Sequence, residues 1–355
     1  MGAAVARVLH EVAACLPRLP PARHGTLLAV ALGAGYVLLR QRLVPKWATQ
    51  KWFLLSTTAL MIPSCALAYL LDPLRYLGVP RLCVQNVCVF ILSHAFKAIW
   101  WLNPQIRMHV KFDANGDEKP ACWDDISRTG VAFMLNHTSF WDPFQMIGIT
   151  PTAHLMQTRT LMKSSLRKIP IFGGMFDRVG HFPVYFKSDA ACSFEVDKER
   201  QAQVQQAIDA HLRLGGSLAM FPEGAINKHP QVLLAFRYGT FATIIKHRME
   251  VYYMVSVGSE KTWPLGMLYG GLPADIYIRI GAYPIDYDRD SSKSLAVGLQ
   301  KRMQEVRDEI AAEVAAAEEA ERRRRGLVSE AKETIIRSVK PLRAAREAHA
   351  ATLTA

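Results

Sequence analysis

Two long apolar segments dominate the first third of the chain. Residues 52–71, WFLLSTTALMIPSCALAYLL, contain no charged residue, and a helix of about 20 apolar residues is long enough to cross the core of a bilayer. Residues 82–102 are also largely apolar and end in two tryptophans, which favour the membrane–water interface. We therefore predict a helical hairpin that spans the membrane or dips into one leaflet. Core helices of a soluble domain are the alternative, and the uncharged length argues against them.

A basic cluster precedes this hairpin. A shorter apolar run, residues 25–39, is followed by RQRLVPKWATQKW, which contains four Lys or Arg residues and two tryptophans. Basic residues beside membrane helices remain mostly on the cytosolic side. A hairpin that begins there returns the chain to the same side, so we expect the domain after residue 102 to be cytosolic.

Strand-like and helix-like runs alternate after residue 102. The runs GVAFML, AHLMQT, HFPVYF, SLAMF, VYYMVSVG and DIYIRIGAY predict strands. The clearest helix-like run between them, FEVDKERQAQVQQAIDAHLRL, ends at Gly215 and Gly216. This alternation is typical of an α/β domain with a mostly parallel sheet flanked by helices.

The pattern divides the chain into three parts. We predict N-terminal membrane-anchoring helices in residues 1–105, a catalytic domain in residues 106–300 and a charged helical tail in residues 301–355. The tail is rich in Ala, Glu and Arg and contains four consecutive arginines at 322–325. A solvated helix is the expected structure there, and an amphipathic arm on anionic lipid is the alternative.

The positive charge is concentrated at the apolar end of the chain. Residues 1–105 contain ten Lys or Arg and two acidic residues, which accounts for +8 of the net charge of +12. This distribution suits an anionic membrane surface, whereas a nucleic-acid-binding protein would carry its basic face on the folded domain. We therefore expect membrane lipids and no nucleic acid as partners. Scattered arginines that keep an apolar region soluble are the alternative.

The six cysteines are scattered and form no CxxC pair. Neither a disulfide framework nor a zinc site is predicted by this spacing. Buried free thiols in a reducing compartment are the expected state.

A histidine and an aspartate follow the first predicted strand, in MLNHTSFWDPF. Pro143 disfavours a helical conformation at Asp142, so we expect a helix to begin at Pro143 with Asp142 as its N-cap. His137 would then lie in a loop at the carboxyl end of a strand, where open α/β sheets place their sites. A carboxylate on one ring nitrogen fixes the tautomer and leaves the other nitrogen as a general base. On these residues alone, a helix cap with a structural histidine explains the pattern equally well.

An acidic turn follows a second predicted strand, in SLAMFPEGAIN. Strand, proline, acid and glycine predict a tight turn at Pro222, Glu223 and Gly224, with an exposed carboxylate and accessible backbone N–H groups. Such a turn suits a polar substrate head group, and a plain turn is the alternative.

These segments resemble the motifs of a known family. NHTSFWD resembles the HxxxxD motif, and FPEG the FPEGTRS-type motif, of the glycerolipid acyltransferases typified by 1-acylglycerol-3-phosphate acyltransferase. Between them, KSSLRKIPIFGGMFDRVGHFPVYFK is similar to the middle motif of that family. RYGTFATI is similar to the basic-x-Gly segment, and DIYIRIGAYPI to the last strand. The resemblance covers residues 133–285, with three motifs in order behind a membrane hairpin.

The resemblance implies a fold and a reaction. The fold is the glycerol-phosphate acyltransferase-like α/β domain, and the reaction moves an acyl chain from acyl-CoA to the free hydroxyl of a lysoglycerolipid. The hydroxyl itself is the nucleophile, so His137 would act as the base and Asp142 would orient and charge-stabilise it. Acyl-CoA is a co-substrate, and no cofactor or metal is expected. The expected partners are membrane lipids, acyl-CoA and a lysophospholipid acceptor, and we expect an integral or monotopic protein of the endoplasmic reticulum.

The family also implies a substrate-binding set. Its members in this sequence are Asn136, Lys163, Lys187, Pro222, Glu223, Gly224 and Arg237. This chain departs from the family at Ala225, Ile226 and Asn227, where the motif has Thr-Arg-Ser and uses the arginine on the acceptor's phosphate. Lys187 also replaces an arginine, and Lys228 or Arg237 is a candidate substitute for the lost guanidinium.

These departures leave the acceptor open. 1-Acylglycerol-3-phosphate is the first expectation, with another lysophospholipid or glycerol phosphate as alternatives. A non-catalytic lipid-binding relative and a thioesterase that activates water are further alternatives.

Overall fold

The computed structural model describes residues 21–113, 120–187 and 196–353, with side chains described for residues 25–113, 120–187 and 196–323. Three helices precede the sheet: α1 (Pro21–Arg40), α2 (Lys46–Leu71) and α3 (Arg81–Leu102). A 3-10 helix, Asp72–Leu77, joins α2 to α3. The two helices of the predicted hairpin and the short connection between them are therefore confirmed.

A seven-stranded sheet follows the hairpin. The strands are β1 (Ile106–Phe112), β2 (Val131–Leu135), β3 (Thr158–Lys163), β4 (Phe182–Val184), β5 (Ser217–Met220), β6 (Glu250–Val257) and β7 (Ala274–Tyr283). The helices among and after them are α4 (Asp142–Ile149), α5 (Thr152–Gln157), α6 (Met175–Arg178), α7 (Lys198–Arg213), α8 (Tyr238–Lys246), α9 (Ser259–Thr262) and α10 (Ser292–Leu353). The predicted α/β fold, a mostly parallel sheet flanked by helices, is confirmed.

The strand order positions the loops. The order is β1-β7-β6-β2-β5-β3-β4, and every neighbouring pair is parallel except β6 and β7. The carboxyl ends of β6, β2, β5, β3 and β4 consequently lie side by side along one edge of the sheet, which we call the carboxyl edge. Loops that leave these strands meet at that edge.

Buried apolar strands form the centre of the core. All five residues of β2 and all four of β5 are buried, as expected for parallel strands covered on both faces. One side of the hairpin joins this core, because Phe53 of α2 lies against Trp141, Phe144 and Trp263 at ring-centroid distances of 5.7–5.9 Å. The other side of the hairpin is exposed and apolar.

Helix α2 contacts the α/β domain near both of its ends. Phe53, in its first half, contacts residues that follow β2 and β6. Tyr69, sixteen residues or about 24 Å further along the helix, donates a hydrogen bond to the carbonyl of Ile171 after β3, at 3.1 Å. Asp72 at the end of α2 pairs with Arg178 at 3.1 Å. The first half of α2 thus contacts residues that follow β2 and β6, and its end contacts the segment between β3 and β4.

One strand prediction is wrong, and one edge strand was not predicted. AHLMQT is wrong as a strand, because Pro151 precedes a short helix, α5, and the strand begins only at Thr158. A short apolar run cannot by itself distinguish a buried helix from a strand. Strand β1 was not predicted, since IRMHVKF is a half-exposed edge strand with polar residues at alternate positions.

The chain divides into two compact units, Met1–Gln304 and Glu305–Ala355. The second unit contains the rest of helix α10, which corresponds to the predicted helical tail. Side chains four residues apart form ion pairs on it, such as Arg323–Glu319 at 3.0 Å. The three-part division at residues 105 and 300 stays a prediction.

The described cysteines are free thiols in two environments. Cys65 and Cys88 are buried, as expected. Cys83 and Cys122 are exposed, so the expectation of burial is wrong for these two. Cys15 and Cys192 lie outside the described residues.

A partly buried ion cluster joins α7 to α8. Asp209 accepts hydrogen bonds from Lys246 at 2.6 Å, His247 at 2.8 Å and Gln205 at 3.0 Å. Burial alone would raise the pKa of the Asp209 carboxyl, but these donors outweigh it and lower the pKa from 3.8 to about 2. A carboxyl with a lowered pKa stabilises the fold above its unfolded pKa, and this stabilisation is lost as the pH falls through the folded value.

We expect Asp209→Asn to lower the unfolding temperature at pH 7. The difference from the wild type should narrow as the pH falls below about 4, because the unfolded wild-type chain then takes up a proton that the folded protein takes up only near pH 2. Thermal unfolding in detergent, followed by circular dichroism between pH 3 and pH 7, measures both effects. Asp288→Asn is the control: Asp288 pairs with Arg248 at 3.2 Å on the surface, where ion pairs contribute little. A difference for Asp209→Asn that does not change with pH would contradict this account.

Candidate active site

The loop after β2 brings His137 and Asp142 together. Nδ1 of His137 lies 2.9 Å from Oδ2 of Asp142. An ionised carboxylate can only accept, so Nδ1 carries the proton and Nε2 is left as the basic nitrogen. The side chain of His137 is 17% exposed and that of Asp142 is fully buried. The pairing predicted from the sequence is therefore present in the structure.

Asp142 also fixes the backbone of this loop. Its Oδ2 accepts hydrogen bonds from the N–H groups of Thr138 at 2.7 Å and Ser139 at 2.8 Å. The expected N-cap role is wrong: helix α4 already includes Asp142, and the residue before it, Trp141, occupies the N-cap position. The carboxylate instead faces back into the loop, because its hydrogen-bond donors all lie in residues 137–139.

A ring stack and an open nitrogen define the environment of His137. The imidazole stacks on Phe221, with ring centroids 4.1 Å apart and planes 22° apart. Among the residues that the structure describes, no hydrogen-bond partner of Nε2 occurs, so this atom is available to a substrate.

Glu223 fixes the backbone of His137 and is not exposed to solvent. The residue is fully buried, and Oε1 accepts the backbone N–H of His137 at 2.8 Å. Oε2 accepts the N–H of Leu234 at 2.9 Å and the amide of Asn227 at 3.0 Å. Burial raises the pKa of the Glu223 carboxyl, and the three donors oppose that effect. The expectation of an exposed carboxylate for the substrate is wrong, because all of these donors come from the protein.

Asn227 completes the support and was not predicted as a site residue. Its backbone N–H donates to the carbonyl of His137 at 2.6 Å. Its side chain is buried and donates to Glu223 and to the carbonyl of Val232 at 2.7 Å. The N–H and the C=O of His137 are therefore fixed by Glu223 and Asn227, respectively. In the sequence, Asn227 was visible as a departure from the expected Thr-Arg-Ser.

Asn136 and Pro222 have structural contacts in the same loops. The amide of Asn136 is buried and pairs with the backbone of Ser256, donating at 2.9 Å and accepting at 2.8 Å. It joins the carboxyl ends of β2 and β6. The carbonyl of Pro222 accepts the backbone N–H of Arg237 at 2.9 Å.

The turn at Gly224 places backbone donors near the histidine. Gly224 has φ +73°, a conformation that favours glycine, and its own N–H donates to the carbonyl of Phe221 at 3.0 Å. The following N–H groups, of Ala225 and Ile226, have no partner within the described part of the chain. The N–H of the next residue, Asn227, is already used on the carbonyl of His137. The N–H groups of Ala225 and Ile226 are therefore the donors of this turn that are available to a substrate.

The predicted cations line the carboxyl edge. Lys163 ends β3, and Lys187 is exposed three residues after β4 ends. Neighbouring strands are about 4.8 Å apart, which places β3 about 10 Å and β4 about 14 Å from β2. Arg237 reaches the turn directly, since a Cβ on Gly224 would lie 3.3 Å from its Cγ. Lys163 and Phe186 are neighbours, with Nζ 5.9 Å from the ring centroid.

Comparison with known proteins matches this site to a family. Residues 121–259 match the family model described as Acyltransferase, and this range contains the His137–Asp142 pair and the Glu223 turn. Those residues are therefore similar to the acyltransferase family. The matched range runs from before β2 to the start of α9, and the same sheet continues beyond it to β7.

A solved structure is similar in fold to most of this chain. The crystal structure of the 1-acyl-sn-glycerophosphate (LPA) acyltransferase PlsC from Thermotoga maritima matches with a TM-score of 0.51. The match covers 76% of this chain and 96% of that chain, at 17% sequence identity. No curated protein matches the chain.

We expect Glu223→Gln to lower kcat and to leave KM almost unchanged. A glutamine would turn an NH₂ group towards one of the three N–H donors, so the backbone of His137 would lose its support. Hydrogen bonds to charged groups contribute about 1.5–3 kcal/mol, so the loss should be roughly 10- to 100-fold. Steady-state kinetics at varied acceptor concentration measures this split.

The matched control is Glu250→Gln. Glu250 is exposed at the first residue of β6, at the opposite edge of the sheet, and its substitution should leave both constants unchanged. A raised KM with unchanged kcat in Glu223→Gln would instead assign Glu223 to substrate binding.

Proposed function

We propose that the protein is a membrane-bound O-acyltransferase that moves an acyl chain from acyl-CoA to the free hydroxyl of a lysoglycerolipid. 1-Acylglycerol-3-phosphate is the proposed acceptor and phosphatidic acid the product. The observation that carries the proposal is the His137–Asp142 pair, with an open Nε2, inside a domain of the acyltransferase family.

The proposed reaction needs one base and no enzyme nucleophile. The acceptor hydroxyl gives its proton to Nε2 of His137 as its oxygen attacks the thioester carbonyl. The buried Asp142 carboxylate stabilises the imidazolium that forms. When the tetrahedral intermediate collapses, the C–S bond breaks and the imidazolium returns the proton to the departing CoA thiolate. Ser139 takes no part, because its hydroxyl donates to the carbonyl of Trp263 at 2.9 Å.

The turn after β5 supplies the proposed oxyanion donors. The negative charge on the thioester oxygen needs preorganised N–H groups. We assign this role to the backbone N–H groups of Ala225 and Ile226, which the turn at Gly224 presents beside His137. Glycine at the head of the turn gives the thioester room to approach.

Cations of the carboxyl edge are the proposed site for the acceptor's phosphate. Arg237 contacts the Gly224 turn. The family's motif has its arginine two residues after this glycine, at the position of Ile226. Lys163 and Lys187 extend the positive charge along the edge to β3 and β4. A lysine binds phosphate as a point charge, without the paired hydrogen bonds of a guanidinium.

The hairpin is the proposed membrane anchor. Lys46–Leu77 and Arg81–Leu102 are long and apolar enough to cross a membrane by length and composition. Since one side of the hairpin is packed on the acyltransferase domain, a shallow monotopic insertion from the cytosolic face fits better than a full crossing. We propose the endoplasmic reticulum as the membrane.

We expect His137→Ala to abolish acyl transfer without unfolding the protein. General-base catalysis contributes roughly 10²- to 10⁴-fold to a rate. The measurement is phosphatidate formation from labelled acyl-CoA by the purified protein in detergent, with circular dichroism as the check on folding. His229→Ala is the control, because His229 is exposed on the loop after the same turn. A folded His137→Ala variant that keeps more than about a tenth of the activity would exclude the histidine as the base.

We expect Lys187→Ala to raise the acceptor's KM about 10- to 100-fold and to change the donor's KM little. This range corresponds to the loss of one charge-assisted contact to phosphate, about 1.5–3 kcal/mol. Lys187→Arg should be tolerated, since a guanidinium also binds phosphate. Kinetics with lysophosphatidate and with a neutral monoacylglycerol measure the effect.

Lys293→Ala, at an exposed position in the first turn of α10, is the control for a general loss of positive charge. Equal effects of Lys187→Ala on both acceptors, or on neither, would exclude a phosphate role for Lys187. The same measurement on Lys163→Ala and Arg237→Ala would then show which cation has it.

A further inference from the structure

An apolar turn projects from the acyltransferase domain after α9. Residues 264–267 form a turn in which the N–H of Met267 donates to the carbonyl of Pro264 at 3.2 Å, with Gly266 at φ +88°. The indole N–H of Trp263 donates to the carbonyl of Met267 at 3.1 Å. Pro, Gly and the two hydrogen bonds give the turn a fixed shape.

This turn exposes large apolar side chains. Leu265 is 39%, Met267 43% and Leu268 89% exposed. Single exposed apolar residues are normal on a protein surface, whereas a contiguous apolar patch marks an interaction site.

Neighbouring elements extend the patch. The ring of Phe140, 48% exposed, lies 5.7 Å from that of Trp263. The amide of Gln50 donates to the sulfur of Met267 at 3.5 Å, which places the turn beside the start of α2, where Trp47 is 65% exposed. We call Trp47, Phe140, Leu265, Met267 and Leu268 the docking patch.

The surroundings of the docking patch match one kind of partner. Lys46, Lys51 and Lys261 are exposed on the two helices that adjoin it, and acidic lipid head groups attract such cations. The patch continues into the exposed apolar face of α2, where Leu54 and Leu55 are 45% and 60% exposed. A tryptophan among lysines is typical of a membrane–water interface.

We propose that the docking patch inserts into the surface of an anionic bilayer, so that the acyltransferase domain itself contacts the membrane in addition to its hairpin. Phe140 lies three residues after His137 in the same loop. Insertion of the patch would consequently hold the catalytic loop at the lipid–water interface, where the head group of a lysolipid lies. Docking does not depend on the reaction, and its consequence for the acceptor rests on the proposed function.

The test uses a fluorescent reporter attached to a cysteine in place of Leu268, in the full chain with its six native cysteines replaced. The matched control places the same reporter at Leu214, which is 81% exposed but lies before β5, at the opposite edge of the sheet. Both proteins are reconstituted in phosphatidylcholine–phosphatidylglycerol vesicles that contain lipids with brominated acyl chains.

The proposal predicts strong quenching at 268 and none at 214. Equal quenching at the two positions would overturn it, as would no quenching at 268. A reporter at 268 that becomes shielded from a water-soluble quencher without being quenched by the brominated lipid would also overturn it, in favour of a protein partner. These results do not require the protein to be active, so they are distinguishable from a failure of the proposed function.

A kinetic measurement tests whether the docking patch assists delivery of the acceptor. Leu268→Asp should raise the apparent KM for a long-chain acceptor presented in the same vesicles by about tenfold or more, because a leucine side chain would leave an apolar environment. Leu214→Asp should leave this KM unchanged. An unchanged KM in Leu268→Asp would show that the patch does not assist delivery of the acceptor.

Discussion

The geometry of the site depends on one buried carboxylate oxygen. Oδ2 of Asp142 accepts the ring N–H of His137 and two successive backbone N–H groups, so it fixes both the tautomer of His137 and the path of its loop. Such a charge can be buried only when it is paired and hydrogen-bonded, and the three donors meet this requirement. Removing the carboxylate would therefore free the His137 ring and the backbone of its loop at the same time.

A second buried carboxylate acts on the same histidine from the neighbouring strand. Glu223 lies just after the end of β5, the strand next to β2. One of its oxygens accepts the N–H of His137, and the other accepts hydrogen bonds from Asn227 and Leu234. The parallel pairing of β2 with β5 makes this contact possible, since both strands end at the same edge. Helix α2 packs on residues that follow β2 and β6 and on the segment between β3 and β4. His137, the two carboxylates that fix it and the apolar hairpin therefore pack together.

The sequence was informative where a signal is local or follows a strict period. The buried strands β2, β5, β6 and β7, the helix that ends at Gly215 and the two apolar helices were predicted, because each has a continuous pattern and clear stops. The place of His137 and Asp142 after a strand and before a proline left a catalytic pair and a helix cap equally open, and the resemblance to the family's motif favoured the pair. The edge strand β1 and the short helix α5 were missed, since neither has a pattern of sufficient length.

The burial of side chains at the site could not be predicted in the same way. Glu223 follows a strand and precedes a glycine, which looks like an exposed turn, yet its donors come from His137, Asn227 and Leu234, up to 86 residues away in the chain. Asn227 is part of the support only because the turn folds back on the loop after β2. Contacts between separate strands decide these roles, and a single sequence does not contain them.

The most direct test of the account is to follow both products of one reaction. Purified protein is mixed with acyl-CoA labelled in its acyl chain, with and without 1-acylglycerol-3-phosphate, and phosphatidate, free fatty acid and CoA thiol are measured together. The account predicts that thiol and labelled phosphatidate appear in equal amounts, and that thiol release stops when the acceptor is omitted. Release of thiol and free fatty acid without the acceptor would show that His137 activates water, and would contradict it.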